Sequence, residues 1–304
     1  MSETVHTTPH APHLDGGVPS PRRRGHVRAL LETRGHLGGF ATPHVHAALA
    51  AGDGTRLAAT WLRGPTPDAP AVVLAHGFAA HRRKPAYALL ADHLRALVHV
   101  LTLDLRGHGQ SAGASTLGDR EALDVAAGVR WLRALGHRHV GVVGVSMGAT
   151  SALHAAALAP EGTAGAPDQV VAVSAPARLL DPPETPPIQR LHDIWTTPWK
   201  RHGMRVALGV TVVPPAAWTA PPDPVDAAGA TRAPLLVVHG EDDAYFPIAD
   251  AEALAAGAGG PATLWREPAG FGHAEDGVSA RLADRLGLAI RAAATTGRHP
   301  AAGG

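Results

Sequence analysis

The feature that most limits how this chain can fold is an alternation. Continuous apolar runs, "AVVLAHG" (71–77), "VHVLTLD" (98–104), "HVGVVGVS" (139–146), "QVVAVSAP" (169–176) and "APLLVVHG" (233–240), are separated by stretches of different periodicity. Tyr87, Leu90, Leu94 and Leu97 lie 3, 4 and 3 apart, and Val125, Val129 and Leu132 and then Leu282, Leu286 and Ile290 repeat that helical spacing. A strand with one wet face alternates apolar and polar residues, so an unbroken apolar run is expected where a sheet is covered on both faces. Strands alternating with amphipathic helices predict an α/β, doubly wound, mostly parallel sheet, whose crossovers gather loops and sites at the strand C-terminal ends. "ATLWREP" (262–268) extends the series, and residues 44–64 read as a hairpin turning at Asp53-Gly54.

Composition narrows the function classes. A chain of 304 residues, 45% hydrophobic and with a formal charge of +1, can bury a large core and carries no overall charge that would draw in nucleic acid or an anionic membrane. Positive charge is nearly all Arg, with Lys84 and Lys200 the only lysines. The absence of cysteine removes disulfides, thiolate metal sites and a thiol nucleophile. Arg22-Arg23-Arg24 resembles a twin-arginine signal, but charged Arg28, Glu32 and Arg34 follow where an apolar segment would be needed. The expectation is therefore a cytoplasmic protein with no stable membrane insertion, and its oligomeric state is left open.

Residues 1–25 are rich in His, Pro and Thr without periodicity and read as a disordered tail, with His6, His10 and His13 solvated rather than ligating metal. An α/β domain is expected over 38–292 and a flexible C-terminal tail over 293–304. Residues 177–232 interrupt the alternation with paired prolines and with Trp195, Trp199 and Trp218. So long an excursion reads as a cap, whose tryptophans, with Met204 and Leu208, would offer apolar surface to a substrate.

One polar residue stands where a strand becomes a helix: Gly144-Val145-Ser146-Met147-Gly148. Ser146 could simply cap the helix. A serine placed there can also be a nucleophile on a tight elbow, which requires a histidine base oriented by a carboxylate, following in the order Ser, Asp or Glu, His. Asp242 and Asp243 fall in "HGEDDAYFP" (239–247) after one strand, and His273 in "GFGH" (270–273) after the next. His137 and His139, without carboxylates or a third ligand nearby, are poor metal candidates.

With "HGF" (76–78) and "DLRGHGQS" (104–111), these motifs resemble the α/β-hydrolase family over about residues 44–292. The resemblance implies a serine hydrolase, esterase-like or lysophospholipase-like, with Ser146, Asp243 and His273 as triad and Asp242 as the second choice of acid. It implies an oxyanion hole from the backbone N–H groups of Phe78 and Met147, structural roles for His76, Asp104, His108 and His239, and no cofactor or metal. A small apolar acyl substrate is expected. Acyltransferase or peptidase chemistry on the same triad, and a non-catalytic binding module of this fold, are the alternatives.

Overall fold

The computed structural model describes residues 39–159, 162–179 and 184–302; the expected N-terminal tail lies outside them. Eight strands form one sheet: β1 (Val45–Ala50), β2 (Arg56–Leu62), β3 (Ala71–Ala75), β4 (His99–Leu103), β5 (Val140–Val145), β6 (Val170–Val173), β7 (Leu235–Gly240) and β8 (Ala262–Glu267). Their order is β1-β2-β4-β3-β5-β6-β7-β8. The hairpin β1–β2 is antiparallel and β2 pairs antiparallel with β4; all other neighbours are parallel.

The unbroken apolar runs arise because the sheet has two dry faces. Ala71, Val73 and Ala75 enter one core cluster, whereas Val72 and Leu74 enter the other. The same split divides Val142 from Val143, Ala172 from Val173, and Val237 from Val238. Helices α1 (Pro85–Leu94) and α8 (Ala280–Thr296) cover one face, burying Tyr87, Leu90, Leu94, Leu282, Leu286 and Ile290. Helices α2 (Glu121–Ala134) and α3 (Met147–Leu158) cover the other. Each fully buried Val or Leu contributes about 1.5–3 kcal/mol, so a two-faced strand is anchored strongly in one register.

Between β6 and β7 lie α4 (Pro186–Thr196), α5 (Pro198–Leu208), a short 3-10 turn at Pro215–Ala217 and α6 (Pro224–Ala230). The expected cap boundary at 232 is corrected. Ala227 and Ala228 of α6 pack into the same core cluster as α3, so α6 is part of the body. The cap's two legs meet where the Leu179 N–H donates to Asp223 Oδ1 at 2.8 Å. Helix α7 (Ile248–Gly257) follows β7.

The expected loose C-terminal tail is also corrected. Helix α8 continues past residue 292 to Thr296 and stops at Gly297 in the left-handed region, φ 72°. The chain then docks on β8: Thr263 Oγ1 donates to the His299 carbonyl at 3.0 Å and Trp265 Nε1 to that of Pro300 at 3.0 Å. Gly303 and Gly304 lie outside the described residues.

Candidate functional site

Parallel register brings the ends of β3, β5, β6, β7 and β8 to one edge, and the three side chains singled out by the sequence meet there. Ser146 ends β5 and precedes α3 with φ 52° and ψ −117°, a conformation that a non-glycine residue adopts only when the surroundings impose it. Those surroundings explain both glycines. A Cβ on Gly144 would stand 2.3 Å from the Gly148 carbonyl oxygen, and one on Gly148 would stand 2.3 Å from that of Ala75. The Ser146 N–H is tied to the Val173 carbonyl at 2.8 Å, and its side chain makes no capping bond to α3. The helix-cap reading of this serine is thereby set aside.

His273 Nε2 lies 3.0 Å from Ser146 Oγ, and its Nδ1 lies 2.8 and 3.0 Å from the two carboxylate oxygens of Asp243. With Nδ1–H donating to the carboxylate, Nε2 carries a lone pair directed at the hydroxyl, the arrangement in which an imidazole can accept a serine proton. The Asp243 side chain is fully buried, and its Oδ1 accepts the N–H groups of Tyr245 at 2.8 Å and Phe246 at 3.1 Å. Its neighbour faces elsewhere: exposed Asp242 accepts the N–H groups of Gly270 at 2.6 Å and Gly272 at 3.0 Å, fastening the loop that carries His273.

Three further residues hold this array. His239 Nε2 donates to the Phe246 carbonyl at 3.0 Å and lies 3.6 Å from Asp243 Oδ2, bracing the acid from behind. The Tyr245 ring stacks on His273, centroids 4.1 Å apart and planes 23° from parallel. Ser174 Oγ accepts the Ala274 N–H at 2.9 Å, fixing the backbone just after His273. The bracing by His239 follows the supporting role expected of it; Tyr245 and Ser174 carry no spacing signal in the sequence.

The Phe78 segment is fixed on both sides by neutral histidines. His76 Nε2 accepts the Leu105 N–H at 3.0 Å, so its Nδ1–H donates to the Gly77 carbonyl at 2.8 Å. Burial pushes His76 down to about 3, so the ring is uncharged at neutral pH. His108, also lowered by burial, accepts the Ala79 N–H on Nε2 at 3.2 Å and donates from Nδ1 to the Arg106 carbonyl at 2.9 Å. The Gly77 N–H donates to Tyr87 Oη at 2.8 Å. Met147 opens α3, so its N–H has no carbonyl one turn back to pair with. Asp104 belongs to this support: it binds Arg82 and the N–H groups of Arg82 and Gln110 at 2.8 Å each. Burial opposes its charge, but Arg82 and these N–H groups outweigh it and hold the carboxyl below its ordinary range.

The cap leans on the same segment. Met204, Val210 and Val212 form a small cluster with Trp195 and Ile194 that touches Phe78 and Ala79. Trp195 and Trp218 pack edge to face at 5.2 Å, donating to the carbonyls of Val213 and Thr116 respectively. Trp199, expected with Trp195 and Trp218 to offer a substrate apolar surface, is 72% exposed, with Lys200 Nζ 5.3 Å from its ring centroid. Leu208 is also exposed. Among the described residues no group of three or more His, Asp and Glu is placed to hold a metal ion.

Residues 70–205 match the family model described as alpha/beta hydrolase fold. Among solved structures the chain is similar to the esterase Pf2001 of Pyrococcus furiosus, at 21% identity and a TM-score of 0.62 over 83% of this chain and 96% of that one. It is similar to RhEst1, an esterase from Rhodococcus sp. ECU1013, at 21% identity and 0.58 over 81% and 98%. It is also similar to Est1E from Butyrivibrio proteoclasticus, a structure with ferulic acid bound, at 19% identity and 0.57 over 81% and 97%. No curated protein matches the chain in sequence.

Proposed function

This chain has the α/β-hydrolase fold, and on that premise we propose that it is a serine esterase cleaving small apolar acyl esters through a Ser146–His273–Asp243 triad. The observation that carries the reading is the unbroken line from Ser146 Oγ through His273 to buried Asp243, at 3.0 and 2.8 Å. Ser146 Oγ attacks the ester carbonyl while His273 Nε2 takes its proton, and Asp243 stabilises the imidazolium that forms. The imidazolium returns the proton to the departing alkoxide, leaving an acyl-serine. Water then repeats the sequence, with His273 as base, to release the acid. The N–H groups of Phe78 and Met147 receive the oxyanion, each such donor worth roughly 10²–10³ in rate. These are backbone groups, so the two histidines that hold the Phe78 segment act by position alone.

The apolar cluster of the cap beside Phe78 supports an acyl chain as the group recognised. The test is labelling by a fluorophosphonate probe, which should mark the wild type and leave Ser146→Ala unmarked. An unlabelled wild type sinks the proposal. A series of p-nitrophenyl esters then reads the acyl preference, and equal turnover of acetyl and longer esters removes the apolar-chain part of it.

A further inference from the structure

The whole-chain charge of +1 conceals one strongly asymmetric element. Helix α5 carries Lys200, Arg201, His202 and Arg205 and no carboxylate. Lys200 pairs with Asp193 of α4 and Arg201 donates to the Trp195 carbonyl, whereas Arg205 has no side-chain partner among the described residues. Arg201, His202 and Arg205 line an open surface hollow of about 200 Å³ together with Pro198, Val210, Thr211 and Val212. Beside His202 runs a short apolar ridge. Of the seven large apolar side chains exposed among the described residues, three are on this one helix: Trp199 at 72%, Val206 at 60% and Leu208 at 51%. Trp199 and Val206 are seven residues apart and share a face on which His202 lies between them; Arg205 follows beside His202, and Leu208 lies on the opposite side of the helix. Only Met204 of the eleven residues is buried, so α5 spends little of its surface on the protein's interior.

A free anion would use the cations and leave the ridge in water; a purely apolar partner would strand the cations. A lipid layer with phosphate groups above acyl chains satisfies both. We propose that α5 docks the protein on anionic phospholipid, with lipid phosphates held by His202 and Arg205 and with Trp199 and Val206 in the headgroup–acyl boundary. The contact is peripheral, since no described helix is long and apolar enough to cross a membrane. It is separate from the esterase reading, because Trp199 and Val206 are exposed to solvent and the contact needs no turnover.

The test is co-sedimentation of full-length Ser146→Ala protein, which cannot consume lipid, with vesicles of phosphatidylcholine alone or mixed with phosphatidylglycerol. The protein should pellet with the mixed vesicles and be released by salt. Arg205→Gln should weaken binding about five-fold, the usual share of one cation at an anionic surface. Trp199→Ser combined with Val206→Ser should abolish it, with both variants melting as the parent does. Equal recovery on both vesicle types, no recovery on either, or variants that bind unchanged would each overturn the proposal. Release by soluble glycerol phosphate would show a free-phosphate site instead, and a vesicle-independent dimer would assign the ridge to a second copy of the chain. Probe labelling of the wild-type serine reports on the esterase independently of all these outcomes.

Discussion

Helices α3 and α4 have twelve and eleven residues, yet ten of the first are buried and none of the second. Helix α3 is alanine-rich, so it can press against β3 and β5 closely enough that Gly148 touches the Ala75 carbonyl. Helices α4 and α5 bury only Met204 between them and are held mainly by one small cluster, with the Trp195 N–H of α4 bonded to the Val213 carbonyl. The contrast separates two tasks. Side chains that stay within hydrogen-bond range of one another are mounted on the tightly packed sheet edge, whereas the surface proposed to receive the acyl group is mounted where packing constrains it least.

The sharpest way to break this comparison is to add one methyl to a helical glycine in each region. In Gly148→Ala the new Cβ falls 2.3 Å from backbone oxygen, which cannot yield without moving β3. Loss of folded protein, or of all probe labelling, is expected; retained labelling with an unchanged melting temperature would show the packing to be looser than described.

A smaller effect separates two adjacent carboxylates. Asp243→Asn should lower kcat about 10⁴-fold by leaving His273 in the wrong tautomer. Asp242→Asn should lower the melting temperature of the protein and reduce kcat far less, because it only ties down Gly270 and Gly272. Comparable kcat losses in the two would reverse the assignment.

Acidification acts on the packed region. The His76 ring takes up a proton in the unfolded chain below its ordinary value of 6.5, but in the folded protein only near 3. The unfolded state therefore binds more protons in that window, and stability falls by about 1.4 kcal/mol for each unit of pH lost there. Asp104, held below its ordinary range, adds a loss of the same sign at lower pH. A melting temperature that stays level from pH 6.5 down to the carboxylate range would contradict this.

In the cap, Trp195→Leu should leave acetyl-ester turnover nearly intact and cut kcat/KM on longer acyl esters about ten-fold. The smallest change completes the glycine pair: a Cβ at Gly203 of α5 meets nothing within 4 Å. Gly203→Ala should raise stability by about 0.5–1 kcal/mol, read as a small increase in melting temperature.

The strands were legible because each carries residues for two dry faces, a pattern that surface segments do not produce. Ser146 and His273 were legible for a related reason, as polar residues stranded at strand ends between glycines. Choosing Asp243 over Asp242 needed the spacing of a resembling family, since the backbone turns neighbouring side chains in different directions and composition does not say which one meets the imidazole. Tyr245 and Ser174 act through contacts with a loop about 30 and 100 residues away, and no local pattern announces such partners. The cap boundary was misplaced because α6 is short and made largely of small residues, giving no apolar period to mark it as body. The exposure of Trp199 ran against the habit of tryptophan to bury, and the docking of His299 and Pro300 rests on main-chain carbonyls that any residue could supply.

The clasp between Leu179 and Asp223 means that the excursion over the sheet leaves and re-enters through a single doorway. A segment attached in that way can be lengthened, trimmed or exchanged as a cassette without shifting the register of any strand. New specificities could then be tried out by descendants of this chain while the hydroxyl, imidazole and carboxylate beneath keep their alignment.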